Sequence, residues 1–249
     1  MPIVSCIVDR FTQFAVLGAE EIALLSELEL DPRSYAAGTV LCKAGSTATQ
    51  LFTLVKGWAG IVRHFADGRR QVLDLYLPGQ IMRLRELGSE QAQSDLLAFT
   101  DIVACPFPRE RIDELLARPR LAGALLLTLT AEQGLLTERI TNVARRPALE
   151  RMAHFLLELR TRLGAETGAF ELPLTQDVIG DMLGLSSVHV SRTLGRLRRL
   201  GLVHMADGQV RLLDIGALET LSGFQVGYLS RPGLPAQTAP ATPVAAAPQ

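Results

Sequence analysis

The stretch TQDVIGDMLGLSSVHVSRTLGRL, residues 175–197, decides the fold. Thr175 is well suited to cap a helix at its amino end. Gly184 can end that short helix, and Ser186 or Ser187 can cap a second one immediately afterwards. The pattern therefore predicts two short helices joined by a tight turn.

The two helices are predicted to pack on each other as a helix-turn-helix. Gly180 is small enough to let them cross closely. The apolar positions that form their shared core are Ile179, Leu183, Leu185 and Val190. The following stretch GLVHMADGQVRLLD, residues 201–214, predicts a hairpin that turns at Asp207 and Gly208. A helix-turn-helix followed by a hairpin is typical of a winged helix, a DNA-binding fold.

The second helix carries a local positive charge in a chain whose formal net charge is −1. Residues 187–211 contain five arginines and one acid. On a helical wheel the core face holds Val190, Leu194 and Leu197. The opposite face holds Val188, Ser191, Arg192, Gly195 and Arg199, with His189 and Arg196 beside it. A solvated face usually mixes charge signs. We therefore expect contact with DNA; the alternatives are an inert face and an adaptor that binds an acidic protein.

The residue types on this face suggest individual roles. Arg192 can pair its planar guanidinium with O6 and N7 of guanine in the major groove. Ser191 can bond to a base edge or a phosphate, and Val188 can meet a thymine methyl group. These three are the predicted base-reading residues. The predicted phosphate and flanking contacts are Ser187, His189, Arg196 and Arg199.

The first part of the chain has a different character. Residues 17–28 predict a short amphipathic helix, and residues 37–107 show short apolar runs broken by turn residues. Asp67 and Gly68, between GIVRHFA and RRQVLDLYL, are a strong hairpin signal. Strands at this spacing predict an antiparallel barrel or jelly roll. We expect an α+β chain: an amino-terminal β-roll, a long helix and a carboxy-terminal winged helix.

Residues 108–145 show a helical pattern with an unbroken heptad repeat. Its seam is formed by Ala122, Leu126, Leu129, Gln133, Leu136, Ile140 and Val143. A helix buried on its own domain is one interpretation, and a two-stranded coiled coil between subunits is the other. Gln133 favours the coiled coil, because a buried amide can pair with its symmetry mate and define the register. Arg146 and Pro147 then break the helix, which resumes over 147–164.

These patterns divide the chain into four parts. They are the β-roll at 1–107, the dimerisation helix at 108–145, the winged helix at 146–230 and a Pro/Ala-rich tail at 231–249, which we expect to be disordered. No signal peptide or membrane span is evident, and Cys6, Cys42 and Cys105 form no CxxC pair. A cytoplasmic protein without disulfides or a zinc site is expected. No catalytic constellation is present, so we predict no enzyme activity.

In this order of parts, the chain resembles the Crp/Fnr superfamily of bacterial transcription regulators. The similarity is most specific at 56–80 and 174–203, and in detail it is nearer to the Fnr/FixK branch than to the cyclic-AMP receptors. The resemblance implies a homodimer that binds an inverted-repeat operator, a palindrome of double-stranded DNA, and touches RNA polymerase. In that family a Glu-x-x-Ser-Arg motif reads the half-site. Ser191 and Arg192 match its last two residues, while Val188 replaces the glutamate.

The resemblance also bears on the effector. Cyclic-nucleotide binders of this superfamily carry a Gly-Glu pair and then an arginine beside Ser or Thr. Here Gln80 follows Gly79, and Ser94 is flanked by Gln93 and Asp95. We therefore expect no cyclic-AMP response. Arg83 and Arg85 are weak candidates for another anion pocket, the alternative being a solvated loop or an ion pair.

No cofactor is expected. The amino-terminal cysteine cluster of the family's iron–sulfur oxygen sensors is absent. A haem would need ligands from a set of dispersed residues: His64, His154, His189, His204, Cys42 and Cys105. Two functional alternatives stay open: a regulator active as expressed, and a regulator gated by a small ligand, haem or a redox state.

Overall fold

The computed structural model describes residues 5–229. The tail at 231–249 that the sequence predicts to be disordered lies outside these residues. The amino-terminal helices are α1 (Cys6–Thr12) and α2 (Ala19–Glu27). Strands β1 to β8 follow as Arg33–Tyr35, Val40–Cys42, Gln50–Lys56, Ala59–His64, Arg70–Tyr76, Ile81–Met82, Asp95–Ala98 and Ile102–Pro108. Helices α3 (Arg111–Leu116), α4 (Pro119–Arg145) and α5 (Ala148–Arg162) come next. The carboxy-terminal elements are β9 (Ala169–Glu171), α6 (Gln176–Leu183), α7 (Ser187–Arg199), β10 (Val203–Ala206), β11 (Gln209–Leu212) and α8 (Ile215–Ser222).

The first eight strands form the predicted antiparallel roll. One sheet has the order β1-β8-β3-β6 and the other β2-β7-β4-β5. The predicted hairpin joins β4 to β5, where Gly68 adopts a φ of 83° and Phe65 N–H donates to the Arg69 carbonyl at 2.9 Å. Phe52, Leu54, Tyr76 and Leu96 fill the space between the sheets.

The long helix differs from the single helix predicted over 108–145. Helix α3 ends at Leu116, and α4 begins only at Pro119. Proline restricts the residue before it to extended backbone, and Arg118 has a ψ of 112°, so the two helices cannot be continuous. The predicted break at Pro147 is confirmed, because Arg146 is extended and α5 starts at Ala148. No helix within residues 5–229 is long and apolar enough to cross a membrane.

The winged-helix part and the roll share one hydrophobic core. Trp58, Val72 and Leu75 of the roll belong to the same buried cluster as Phe155 of α5 and Leu194 of α7. All five side chains are at least 90% buried. Helices α5 and α7 are therefore packed on the roll in this conformation, rather than tethered by a linker.

Candidate nucleic-acid interface

The turn between α6 and α7 is built as the sequence predicts. Thr175 caps α6 by accepting from the Val178 N–H. Gly184 ends it with a φ of 63°, a left-handed conformation that glycine adopts at no steric cost. At Gly180 a Cβ atom would lie 2.4 Å from the Leu185 carbonyl oxygen, so only glycine permits this crossing. The helix-turn-helix geometry therefore depends on two glycines.

Helix α7 begins at the predicted cap and buries the predicted face. Ser186 Oγ accepts from the His189 N–H at 3.3 Å. Val190 and Leu197 are completely buried, and Leu194 is 6% exposed. Because this side is held by the core, the opposite side of α7 faces solvent over its whole length.

The outer side of α7 borders a groove of about 520 Å³. Its lining residues are Gln176, Ser187, Val188, Ser191, Arg192, Gly195, Arg198 and Arg199. The three predicted base-reading residues are thus together on one wall. His189 and Arg196 are exposed but do not line the groove; they lie on the flank of the helix.

Two groove residues were not predicted from the sequence. Arg198 lies seven residues after Ser191, which is two helical turns, and therefore shares its side of α7. Gln176 reaches the groove from the first turn of the neighbouring helix α6. The helical wheel contained the signal for Arg198, whereas Gln176 depends on how α6 crosses α7.

The arginines of α7 have no acidic partner within the described part of the chain. Arg192, Arg196, Arg198 and Arg199 are exposed, and no described carboxylate lies within salt-bridge distance of them. At Gly195 an added Cβ would lie 3.6 Å from Nη1 of Arg199 and 3.9 Å from Nη2 of Arg198. The groove is therefore lined by unneutralised positive charge, which suits a polyanion.

A three-stranded wing stands beside the two helices, in the order β10-β11-β9. Asp207 and Gly208 both have positive φ, 50° and 75°, as a two-residue type I′ hairpin turn requires. Val203, Val210 and Leu212 face the core, while His204 and Arg211 pair across the exposed face. The predicted winged helix is confirmed.

Arg151 of α5 supports the reading helices from behind. It donates to the Leu183 carbonyl at the end of α6 at 2.5 Å and to the Arg146 carbonyl at 3.0 Å. Burial lowers the pKa of its guanidinium. It thus satisfies carbonyls at two helix ends, a role the sequence did not suggest.

The heptad seam of α4 is only partly covered by the rest of the described chain. Leu126 and Ile140 are 66% and 69% exposed, and Gln133 is exposed as well. Leu129, Leu136 and Val143 are only partly buried. The buried side of α4 is a different set: Leu121, Ala124, Leu125, Thr128, Glu132, Leu135, Arg139 and Asn142. The exposed apolar residues of this seam are available to a partner surface.

The two weak candidates for an effector pocket, Arg83 and Arg85, follow β6 of the roll and form ion pairs with acidic side chains. Arg83 is 4% exposed, and its Nη2 is 3.0 Å from Glu86 Oε2. Arg85 contacts Asp74, and its Nε lies 3.1 Å from Glu132 Oε2. Burial lowers the pKa of Arg85 and raises that of Glu132. These groups form ion pairs and do not belong to a solvated loop.

Little room is left beside Arg83. The cavity it lines together with Glu86 and Arg109 is about 10 Å³, enough for one water molecule. Nearby, Gln80 accepts from the Leu77 N–H at 2.8 Å, and Asp95 accepts from the Ala44 N–H at 2.7 Å. In this conformation the loop presents no free cation to an anionic ligand at Arg83 or Arg85.

The residues considered for haem or redox chemistry are dispersed. His64, His154, His189 and His204 lie on β4, α5, α7 and β10. His154 is completely buried, 3.0 Å from Glu138 and stacked on Tyr228. Burial raises the pKa of Cys6 and raises that of Cys105 to about 11, which disfavours their reactive thiolates. Within residues 5–229, no three His, Cys, Asp or Glu side chains are grouped to hold a metal ion.

The fold and the interface together define a two-domain DNA-binding protein, with a cyclic-nucleotide-binding-type roll joined to a winged helix. Two family models match accordingly. A Crp-like helix-turn-helix domain matches residues 150–221, and a cyclic nucleotide-binding domain matches residues 32–119.

Relatives agree over most of the chain. The transcriptional activator protein FnrL of Cereibacter sphaeroides is 31% identical over 195 residues, covering 74% of this chain and 77% of FnrL. The nitrogen fixation regulation protein FixK of Bradyrhizobium diazoefficiens is 28% identical, covering 84% and 90%. The structure of FixK2 from Bradyrhizobium japonicum has a TM-score of 0.69 at 27% identity, covering 76% of this chain and 96% of FixK2. The chain belongs to the Crp/Fnr family of transcription regulators.

Proposed function

We propose that this regulator is a cytoplasmic homodimer that reads an inverted-repeat operator in double-stranded DNA through α7. The observation that carries the proposal is the groove beside α7, where Arg192, Arg198 and Arg199 are exposed without acidic partners among residues 5–229. A positive surface inside a chain of net charge −1 attracts phosphate locally. Contact with RNA polymerase is expected from the family.

Base readout is assigned to the amino-terminal half of α7. Ser191 lies three residues after Val188 and Arg192 lies four, which is about one helical turn. The three side chains therefore share one wall of the groove beside α7. Val188 is 62% exposed and can only offer an apolar contact, such as a thymine methyl. A valine cannot accept from cytosine N4, so the base preference at this position should differ from that of family members with glutamate. Half-site selection that returned the unmodified Fnr consensus would contradict this assignment.

Dimerisation is assigned to the exposed seam of α4. Leu126, Leu129, Leu136, Ile140 and Val143 leave an apolar stripe that a second α4 can cover. In a two-stranded coiled coil, Gln133 would face its own copy and could pair through its amide. The two-fold axis of such a dimer would relate two copies of α7, which would read two half-sites about one turn of DNA apart.

The regulator is proposed to act without cyclic AMP. Both arginines next to the loop after Gly79 are already held by Glu86, Asp74 and Glu132. A cyclic phosphate would have to displace these carboxylates from a buried site, which is costly. This supports a protein that binds DNA as expressed; a ligand- or redox-gated regulator of the same fold is the competing function.

The first test is selection of bound duplexes from random DNA, with full-length protein and no added ligand. We expect a palindrome with half-sites about one turn apart. Arg192→Ala should lose the preference at one base pair of each half-site, whereas Arg63→Ala, an exposed arginine on β4, should not. No enriched motif from folded, dimeric protein would favour the gated regulator. Enrichment unaffected by Arg192→Ala would contradict the assignment of α7.

A further inference from the structure

A chain of buried ionic contacts crosses the boundary between the roll, α4 and the DNA-reading part. We call it the ionic chain; its members are Arg85, Asp74, Arg139, Glu158 and Arg162, in that order. Positive and negative side chains alternate along it. The side chains of its central members Asp74, Arg139 and Glu158 are 4%, 9% and 4% exposed.

Arg139 is the link between three elements. Its Nη1 donates to the Leu73 carbonyl at 2.8 Å and to Asp74 Oδ1 at 2.9 Å, both on β5 of the roll. Its Nη2 donates to Glu158 Oε1 at 3.2 Å, on α5. A single guanidinium on α4 therefore bonds to the roll with one nitrogen and to the DNA-reading part with the other.

Arg162 makes a second bridge from α5 to the roll. It donates to Glu158 at 3.2 Å, to the Leu75 carbonyl at 2.5 Å and to Gln80 Oε1 at 3.2 Å. Gln80 in turn accepts from the Leu77 N–H. The residue that replaces the family's expected acid after Gly79 is thus part of this bridge.

These contacts differ in kind from the apolar core around them. Apolar packing is non-directional, whereas a guanidinium fork accepts partners only at defined angles. Removed from water, such bonds are strong and are costly to break singly. The ionic chain can therefore define the angle between α4 and the reading helices, which the apolar core alone leaves less restricted.

We propose that Arg139 is a positioning residue for DNA binding: through Asp74 and Glu158 it holds each α7 at the angle that a palindrome with one half-site spacing requires. The proposal rests on the proposed function, in which two copies of α7 bind one operator. A small rotation of each reading part would move the two α7 helices relative to each other, while leaving each one able to bind a single half-site.

The test uses full-length protein and a double substitution, Asp74→Asn with Arg139→Met. It removes one positive and one negative charge and leaves two contacts, Arg85 with Glu132 and Arg162 with Glu158. Replacing a buried ion pair by neutral groups of similar size often preserves stability. The matched control is Asp31→Asn with Arg33→Met, the same change in an exposed ion pair.

Binding is measured on four duplexes: the selected palindrome, two versions of it with the half-sites moved by one and by two base pairs, and a single half-site. We expect the double variant to bind the palindrome about tenfold more weakly, to discriminate less than about twofold between spacings, and to bind the single half-site within about twofold of wild type. The control variant should behave as wild type on all four.

Each other outcome has a distinct meaning. If wild type itself has no spacing preference, the proposed function fails, and the positioning role fails with it. If wild type discriminates and the double variant discriminates equally, only the positioning role is overturned. Should the double variant unfold, Arg139→Lys decides: it keeps the charge, but one ammonium cannot bond to both carboxylates through separate nitrogens. Retained spacing preference in Arg139→Lys would overturn the proposal.

Discussion

Helices α4 and α7 are both amphipathic, but α7 exposes its charged residues, whereas α4 buries two of them beside Leu135. Helix α7 buries Val190 and Leu197 and exposes arginines. The second half of α4 buries Glu132 and Arg139 and exposes Ile140, which is 69% accessible. A helix of a monomeric protein normally buries its apolar side. The apolar residues left exposed on α4 are therefore available to the proposed second copy, while its buried charges are paired inside the chain.

The difference also separates two uses of arginine. On α7 the guanidiniums face solvent and pair with no acid in the described part of the chain, so they can form ion pairs with a ligand. In the interior, Arg85, Arg139 and Arg162 are each in contact with a carboxylate. Removal of an arginine should therefore affect binding in the first case and folding in the second.

The largest effect is expected from Arg139→Ala. It leaves Asp74 and Glu158 buried without their shared cation, and such breaks cost about 3–5 kcal/mol of the free energy of unfolding. Urea unfolding followed by circular dichroism measures the loss. Arg199→Ala, on the exposed side of α7, serves as the control and should change stability by less than about 0.5 kcal/mol. Equal stability of the two variants would refute the distinction.

Leu136→Asp tests the apolar side of α4. A charge placed in the seam would be buried in the proposed dimer but is tolerated in the monomer, because Leu136 is only partly buried there. We expect folded monomers in sedimentation velocity at concentrations where wild type is dimeric. Thr141→Asp, on the exposed surface of α4 away from the seam, should stay dimeric. A dimer that persists in Leu136→Asp would move the interface elsewhere.

Arg192→Ala should cost about 1–3 kcal/mol of operator binding and relax the preference at one base pair of each half-site. Its free energy of unfolding should not change, since the side chain is exposed. Fluorescence anisotropy with the selected operator and with single-base variants measures both the affinity and the preference. Unchanged binding would mean that α7 does not enter the major groove of the DNA as proposed.

Arg199→Ala should weaken binding to all sequences about equally. Loss of one phosphate contact per subunit is expected to reduce the slope of log K against log salt by about 1 per contact. The measurement is a salt titration on specific and non-specific duplexes. A selective loss on the operator would instead assign Arg199 to base readout.

The smallest effect concerns pH. Burial and Arg146 lower the pKa of His154 below its ordinary 6.5, while Glu138 and Glu158 oppose the shift. The unfolded chain therefore takes up this proton first as pH falls below 6.5, so stability decreases there toward the pKa of the folded state. In thermal unfolding between pH 7 and 5, His154→Phe should abolish the part of the decrease in Tm that is due to this histidine. An unaltered pH profile would show that His154 does not contribute.

Much of this molecule followed from local patterns. Glycines at 180, 184 and 208 and the caps Thr175 and Ser186 act within a few residues, so the helix-turn-helix and the wing could be predicted with their outward face. The heptad seam could be predicted for the same reason, since its period is a property of one helix. The sequence contains the signal for the break, Pro119, but a proline can also start the first turn of a helix, and the surrounding helical pattern is continuous.

The remaining features depend on contacts between distant residues. Arg139 and Asp74 are 65 residues apart, and Arg162 and Gln80 are 82 apart. Nothing in the local sequence of Arg85 distinguishes an anion site from an ion pair, because its partners Asp74 and Glu132 lie on β5 and α4. Arg83 instead pairs with Glu86, three residues further along the chain. The sequence by itself determined which surface can meet DNA, since exposure of a helix face follows from periodicity. Only the tertiary structure decided which charges are neutralised in the interior, because that depends on which residues, far apart in the sequence, come together away from water.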